Sequence, residues 1–185
     1  MPLRRLVFQS DNAEFIEIHN RDTSSRDLSG WCFAGITFCF PAGSSIPAGG
    51  YLVLAKNADK FQAVYGLAAD GQYSGSLSNS GEVVSLLDAA GTVVDAVLYT
   101  DHAPWPVTPD GGGPSLELIA AGADHTEPYN WAASTTAAGH TARQANSVAA
   151  PGPRPAIHTV TATPFRPSPK QPITIATNVS GALSV

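Results

Sequence analysis

Two acid–imidazole pairs, Asp101-His102 and Asp124-His125, are the residues best suited to chemistry in this chain. Carboxylate and imidazole together can hold a metal ion. Both pairs lie in loop-like text, so only the fold could bring them together, and solvated loop residues is the leading reading. The five histidines, at 19, 102, 125, 140 and 158, fall in no HExxH or other ligand spacing. No metal site is expected.

Glu14 and Glu17 have the residue type of an acid/base pair. Three apart on a strand, they face opposite sides of a sheet, so bonding to loop N–H groups is expected instead of a dyad. GQYSG (71–75) places its serine one position off the G-x-S-x-G turn. PDGGGPS (109–115) lacks the Lys-Ser/Thr of a phosphate loop and precedes a strand. DAAGTVVD (88–95) has too few oxygens for a calcium loop. No catalytic residue and no cofactor is expected, and the chain does not read as an enzyme.

Cys32 and Cys39 lie in WCFAGITFCF (31–40), which reads as a hairpin. If Trp31 and Phe33, and Phe38 and Phe40, face the core, both cysteines share the outer face. A tight turn at Gly35-Ile36 sets them across from each other, and a one-residue slip separates them. Two separate thiols is the leading reading, and a cross-strand disulfide, which needs an oxidising compartment, the alternative. Trp105, between two prolines, and Tyr129 with Trp131 are candidate ligand-binding aromatics on loops. The leading reading folds Trp105 back as a cap on the end of the fold. Trp31 is expected to fill the interior.

These residues need elements to hold them. LRRLVFQ (3–9) and EFIEIHN (14–20) alternate with period two and read as strands. YLVLA (51–55) reads as a central strand buried on both faces. NADKFQAVYG (57–66) predicts one short helix, capped by Asn57, stopped by Gly66, with Phe61, Val64 and Tyr65 on one face. Strands at 83–87 and 92–99 flank Asp88-Ala89-Ala90-Gly91, a type I turn with a glycine bulge. SLELI (115–119) is a last strand, and the text from there to Trp131 reads as irregular. Strands at this spacing indicate an antiparallel β-sandwich.

The charged fraction, 14%, is below the usual ~25% of soluble domains; Gly, Pro, Ser, Thr and Ala replace it, which favours strands and turns. The net charge is −5 and the ten basic residues are scattered, which speaks against nucleic-acid binding. No segment is long and apolar enough to span a membrane, and MPLRRLVFQSD has no run suited to a signal peptide. From about residue 132 the composition shifts, PGPRP (151–155) reads as a stiff linker, and 157–162 and 173–179 read as two strands. This hairpin is expected to dock on the first domain or on a neighbouring chain, because a lone hairpin is marginal in water.

The order of motifs resembles the lamin-tail domain family, an immunoglobulin-like sandwich, in its bacterial branch. The matching pieces are EFIEIHN (14–20), DLSGW (27–31), GITFCFPAGSSIPAGGYLVLAKN (35–57), GSLSNSGEVVSLLDAAGTVVDAVLYTD (75–101), APWP (103–106), GGGPSLELI (111–119) and NWAAS (130–134). The family's closing segment falls at GHTARQANS (139–147), which keeps Gly139, Thr141 and Asn146 but lacks its two prolines. The resemblance implies a non-catalytic module, appended in bacteria to exported or surface enzymes beside further immunoglobulin-like domains. The expected organisation is a sandwich over 1–147, a linker over 148–156, and over 157–185 the truncated start of a second immunoglobulin-like β-domain. The expected role is an accessory interaction or spacer module of a larger exported or cell-surface bacterial protein. A carbohydrate- or cell-wall-binding module and a self-association module are the alternatives. Protein or glycan partners, or a homodimer through sheet edges or residues 157–185, fit these readings; nucleic acid and membrane insertion do not.

Overall fold

A computed structural model describes residues 3–7, 13–111, 113–152, 156–164, 166 and 168–180. A six-stranded sheet runs in the order β11 (Trp131–Ala133), β10 (Leu116–Leu118), β1 (Leu3–Val7), β2 (Phe15–His19), β6 (Tyr51–Ala55), β7 (Gly71–Gln72). A three-stranded sheet faces it: β4 (Cys32–Ala34), β8 (Gly81–Leu87), β9 (Val93–Thr100). The pairings are antiparallel except β6 with β7. A two-residue ladder joins β3 (Arg26–Asp27) to β5 (Ser45–Ile46). The one α-helix among the described residues, α1, spans Ala58–Tyr65. This is the sandwich the alternating strands predict.

The core between the sheets follows from period two. Ile16 and Ile18 of β2, Leu54 of β6, Leu116 and Leu118 of β10 and Trp131 of β11 meet Phe33 of β4, Val84 and Leu86 of β8, and Val97 and Tyr99 of β9. Burying each such side chain contributes about 1.5–3 kcal/mol. Trp31, expected in the interior, is only partly buried at its margin. A large ring next to the hairpin's first paired residue packs from the edge, while Trp105 and Trp131 are enclosed.

A second, smaller core lies on the other side of the six-stranded sheet, where Phe15, Val53 and Ala55 pack against Phe61 and Ala142. The helix exists to cover them. Asn57 accepts from the Lys60 N–H, and Gly66, at φ 69°, ends the helix by donating to Gln62 O. Phe61 is fully buried and Tyr65 packs on it, but Val64, expected on the same face, is 53% exposed.

The 88–91 turn forms as expected: Gly91 N–H donates to Asp88 O, and Asp88 Oδ1 accepts from the Ala90 and Thr92 N–H groups. The stretch before Trp131, read as irregular, contains a 3-10 turn at Pro128–Asn130 leading into β11. Beyond the linker, β12 (Ala156–Thr163) and β13 (Thr174–Ser180) form an antiparallel hairpin. Its apolar residues Val160, Ile175 and Val179 are 63%, 71% and 42% exposed. Residues 8–12, which include the end of the first predicted strand, lie outside the described residues.

Candidate functional site

Both Glu14 and Glu17 bond the chain itself, on opposite sides of the sheet. Glu14, 4% exposed, accepts from the Leu77 N–H (3.3 Å) beside the Tyr73 hydroxyl and Lys56. Glu17 is fully buried on the other side and accepts from the Arg143 N–H at 2.6 Å. Glu117, also fully buried, accepts from the hydroxyls of Ser115 (3.0 Å) and Thr141 (2.8 Å) and from both the N–H (2.7 Å) and hydroxyl (2.8 Å) of Ser147. In the ladder Arg5 is the register partner of both glutamates. Buried carboxylates are tolerated only when hydrogen-bonded this fully.

These bonds strap residues 139–147 across the sheet. Asn146 Nδ2 donates to Leu118 O, and Arg143, held at φ 63°, reaches Asp70 (2.7 Å) and Ala68 O (2.8 Å). The strap is the segment that lacks the family's two prolines; side-chain hydrogen bonds direct the chain instead. Glu117 escaped the sequence reading. Its signal was a single acid alternating with leucines in SLELI, the same pattern that Glu17 shows in EFIEIHN.

The two acid–histidine pairs separate. Among the described residues the His102 ring pairs with its neighbour Asp101 (2.8 Å), in the open, and that bond holds the Asp101 carboxyl below the usual range. His125 is not a solvated loop residue. Its Nδ1 meets Asp95 Oδ1 of β9 at 2.7 Å, the two side chains being 9% and 11% exposed. Its ring stands edge-on to Trp131, whose indole N–H donates to His125 O (3.0 Å). Asp124 turns away, its carboxyl lowered by the Thr126 hydroxyl and N–H. Among the described residues no three His, Cys, Asp or Glu side chains converge as a metal site.

Trp105, Tyr129 and Trp131 do come together, lining a groove of about 330 Å³ with Pro104, Pro106 and Pro128. The tryptophans are not a platform: they are 7% and 2% exposed and pack on each other at 6.2 Å within the core. Trp105 caps the sandwich, and only Tyr129, 39% exposed, remains open. Both indoles are core residues, as the capping reading has it for Trp105.

Cys32 and Cys39 are joined as a disulfide, against the leading expectation of separate thiols. Phe33 N–H donates to Phe38 O and Phe40 N–H to Trp31 O, so the cysteines form a non-hydrogen-bonded pair, the class with the closest Cα atoms, here 4.1 Å apart. The tight turn needs Gly35 at φ 98°, where a Cβ would stand 2.8 Å from Val83 O.

The disulfide lies on the outer face of the three-stranded sheet, which has no charge. Cys32 stands opposite Leu87 and Ala34 opposite Ser85; Val83 faces Leu98, Ser85 faces Ala96, and Leu87 faces Val93. Val83, Val93 and Leu98 are 51%, 55% and 43% exposed. These exposed apolar residues share one uncharged face. No helix among the described residues is long and apolar enough to cross a membrane.

A family model, the lamin tail domain, matches residues 5–101, which span β1 through β9. No curated protein and no solved structure matches the chain.

Proposed function

The chain belongs to the lamin tail domain family, an immunoglobulin-like, non-enzymatic fold, and on that premise we propose that it is an accessory interaction module of a larger exported or cell-surface bacterial protein. The observation that carries this reading is the uncharged outer face of β4, β8 and β9. The buried acids Glu14, Glu17 and Glu117 are engaged in holding the strap and the loops. Export is supported by the Cys32–Cys39 disulfide, which persists in oxidising compartments. Residues 157–185 are read as the beginning of a second immunoglobulin-like domain, joined by a linker at 148–156. Support comes from the hairpin's one-sided apolar face, which is half of a sandwich.

A photo-crosslinking residue at position 98, compared with one at Lys60 on the covered side, tests the interaction surface in cells of the source organism. Adducts from position 98 that vanish with Val83→Glu are expected. Equal adducts from both positions, or none, would count against the module. Alkylation of the unreduced protein taken from those cells should leave both cysteines unmodified; modified thiols would remove the argument for export.

Self-association is the second reading, favoured by the exposed Val160, Ile175 and Val179 of the hairpin. Light scattering with and without residues 150–185 separates a dimer held by the hairpin from a monomeric spacer. A carbohydrate-binding role has only Tyr129 left as an exposed stacking ring among its three candidate aromatics.

A further inference from the structure

The His125–Asp95 pair opens on a cleft of about 340 Å³ between the Val94–Ala96 edge of β9 and the 121–126 loop, with Arg21 at its rim. Three features make it a built site. His125 is locked: Nδ1 is committed to Asp95, and Trp131 holds both the ring's flank and the His125 carbonyl. Nε2 is then the ring nitrogen without a protein partner among the described residues. The loop is held by its own bonds, Asp124 to Thr126 and Asn130 Nδ2 to Asp124 O (2.8 Å). Arg21 has no carboxylate partner among the described residues, because its neighbour Asp22 is engaged by Arg26. Gly122 leaves the space below Arg21 open: a Cβ there would meet only Arg21 Nη1, at 4.0 Å.

We propose that this cleft binds a monocarboxylate on a short apolar stem, held between the Arg21 guanidinium and His125 Nε2. The guanidinium offers paired N–H donors that match a carboxylate. The imidazole donates from Nε2 when the ring carries both protons, and a carboxylic acid that enters protonated supplies that proton as it becomes the carboxylate. Val94, Ala96, Ala121 and Ala123 line the cleft with small apolar surface for the stem. A phosphate dianion is disfavoured because Asp95 and Asp124 also border the cleft, and like charges at short range cost more for the higher charge. The acid is either a free small molecule or the C-terminus of a peptide.

The test is a titration of the full-length chain, read by NMR at the His125 ring nitrogens and the Gly122 amide. The probes are sodium butyrate, butyramide, sodium chloride and inorganic phosphate. Butyrate should give saturable shifts at both positions, while butyramide and chloride should give none. Arg21→Gln, at an exposed side chain without a hydrogen-bond or ion-pair partner among the described residues, should weaken butyrate about tenfold, the loss of one charged hydrogen-bonded contact. Gly122→Leu should abolish binding by filling the cleft while the remaining amide spectrum stays in place. Equal shifts with butyramide or chloride, undiminished binding in Gly122→Leu, tighter binding of phosphate, or no shift at all would overturn the proposal. A Gly-Ala-Val peptide with free or amidated C-terminus identifies the source. Binding of the free form alone, at least as tight as butyrate, assigns a chain terminus; weaker binding than butyrate assigns a free acid.

Discussion

The two sheets share one core but treat their outer faces in opposite ways. The six-stranded sheet is roofed: α1 and the 139–147 strap cover Phe15, Val53 and Ala55, and two fully buried glutamates hold the strap down. The three-stranded sheet is bare, with an uncharged run from Val83 to Leu98 facing outward. The difference shows what closes a sheet face here. Apolar residues alone do not bring a cover; a cover forms where buried acceptors fix a strap's N–H and hydroxyl groups in place. Where such acceptors are missing, the apolar face stays exposed among the described residues.

One substitution made on both faces probes this contrast most strongly. Val53→Glu places a carboxylate at a position with no exposure, against Phe15 and Phe61. It should cost more than about 4 kcal/mol, enough to unfold many domains. Val83→Glu, at a position 51% exposed, should change stability by about 0.5 kcal/mol. Urea midpoints measure both, and similar costs would show that the bare face is covered in solution.

The strap itself is tested next. Glu117→Ala removes the acceptor for Ser115, Thr141 and Ser147 and leaves buried donors unsatisfied, at a cost of about 3–5 kcal/mol. Hydrogen exchange should accelerate over 139–147 and α1 while β8 and β9 stay protected. Uniform acceleration throughout the sandwich would mean that roof and core are one cooperative unit.

The bare face was the more legible of the two. Its hairpin, 88–91 turn and outward alternation follow from local periodicity and turn residues, as did the capped helix on the other side. The roof was not legible, because its bonds join residues far apart: Glu17 to Arg143 and Glu117 to Ser147. A solitary acid in an apolar strand announces a buried acceptor without naming its donor. Trp105 and Trp131 stand in loop-like text, yet both indoles turn inward, Trp105 as the capping reading has it, and finish the core that short strands leave open.

On the bare side the Cys32–Cys39 bond closes a loop with a sequence separation of 7. In the chain-entropy account a loop this short contributes about 2–3 kcal/mol. The double variant Cys32→Ser/Cys39→Ser should therefore melt lower yet remain folded, since Phe33 and Phe40 still pack in the core. The wild-type chain under reductant should match it. An unchanged melting temperature would show that hairpin packing alone sets the β4 register.

The smallest effect returns to the roof. Tyr65 packs on Phe15 and Phe61, and its buried hydroxyl has no hydrogen-bond partner among the described residues. Tyr65→Phe should thus stabilise the chain at neutral pH by about 1 kcal/mol, the relief of an unsatisfied polar group. Burial pushes the Tyr65 phenol up to about 12, so the folded state holds its proton after the unfolded chain has released it near pH 10. The unfolded state then binds fewer protons, and stability falls as pH rises from about 10 toward 12. The neutral phenol's full contribution is present below that window. Burial, reinforced by Glu14 for Tyr73 and by Glu82 for Tyr99, raises the two core phenols further, and their loss runs in the same direction. Unfolding free energies measured from pH 7 to 11 should decline less steeply for Tyr65→Phe than for the wild type. Parallel declines, or a variant less stable at pH 7, would mean that the hydroxyl is solvated and the roof more open than its packing indicates.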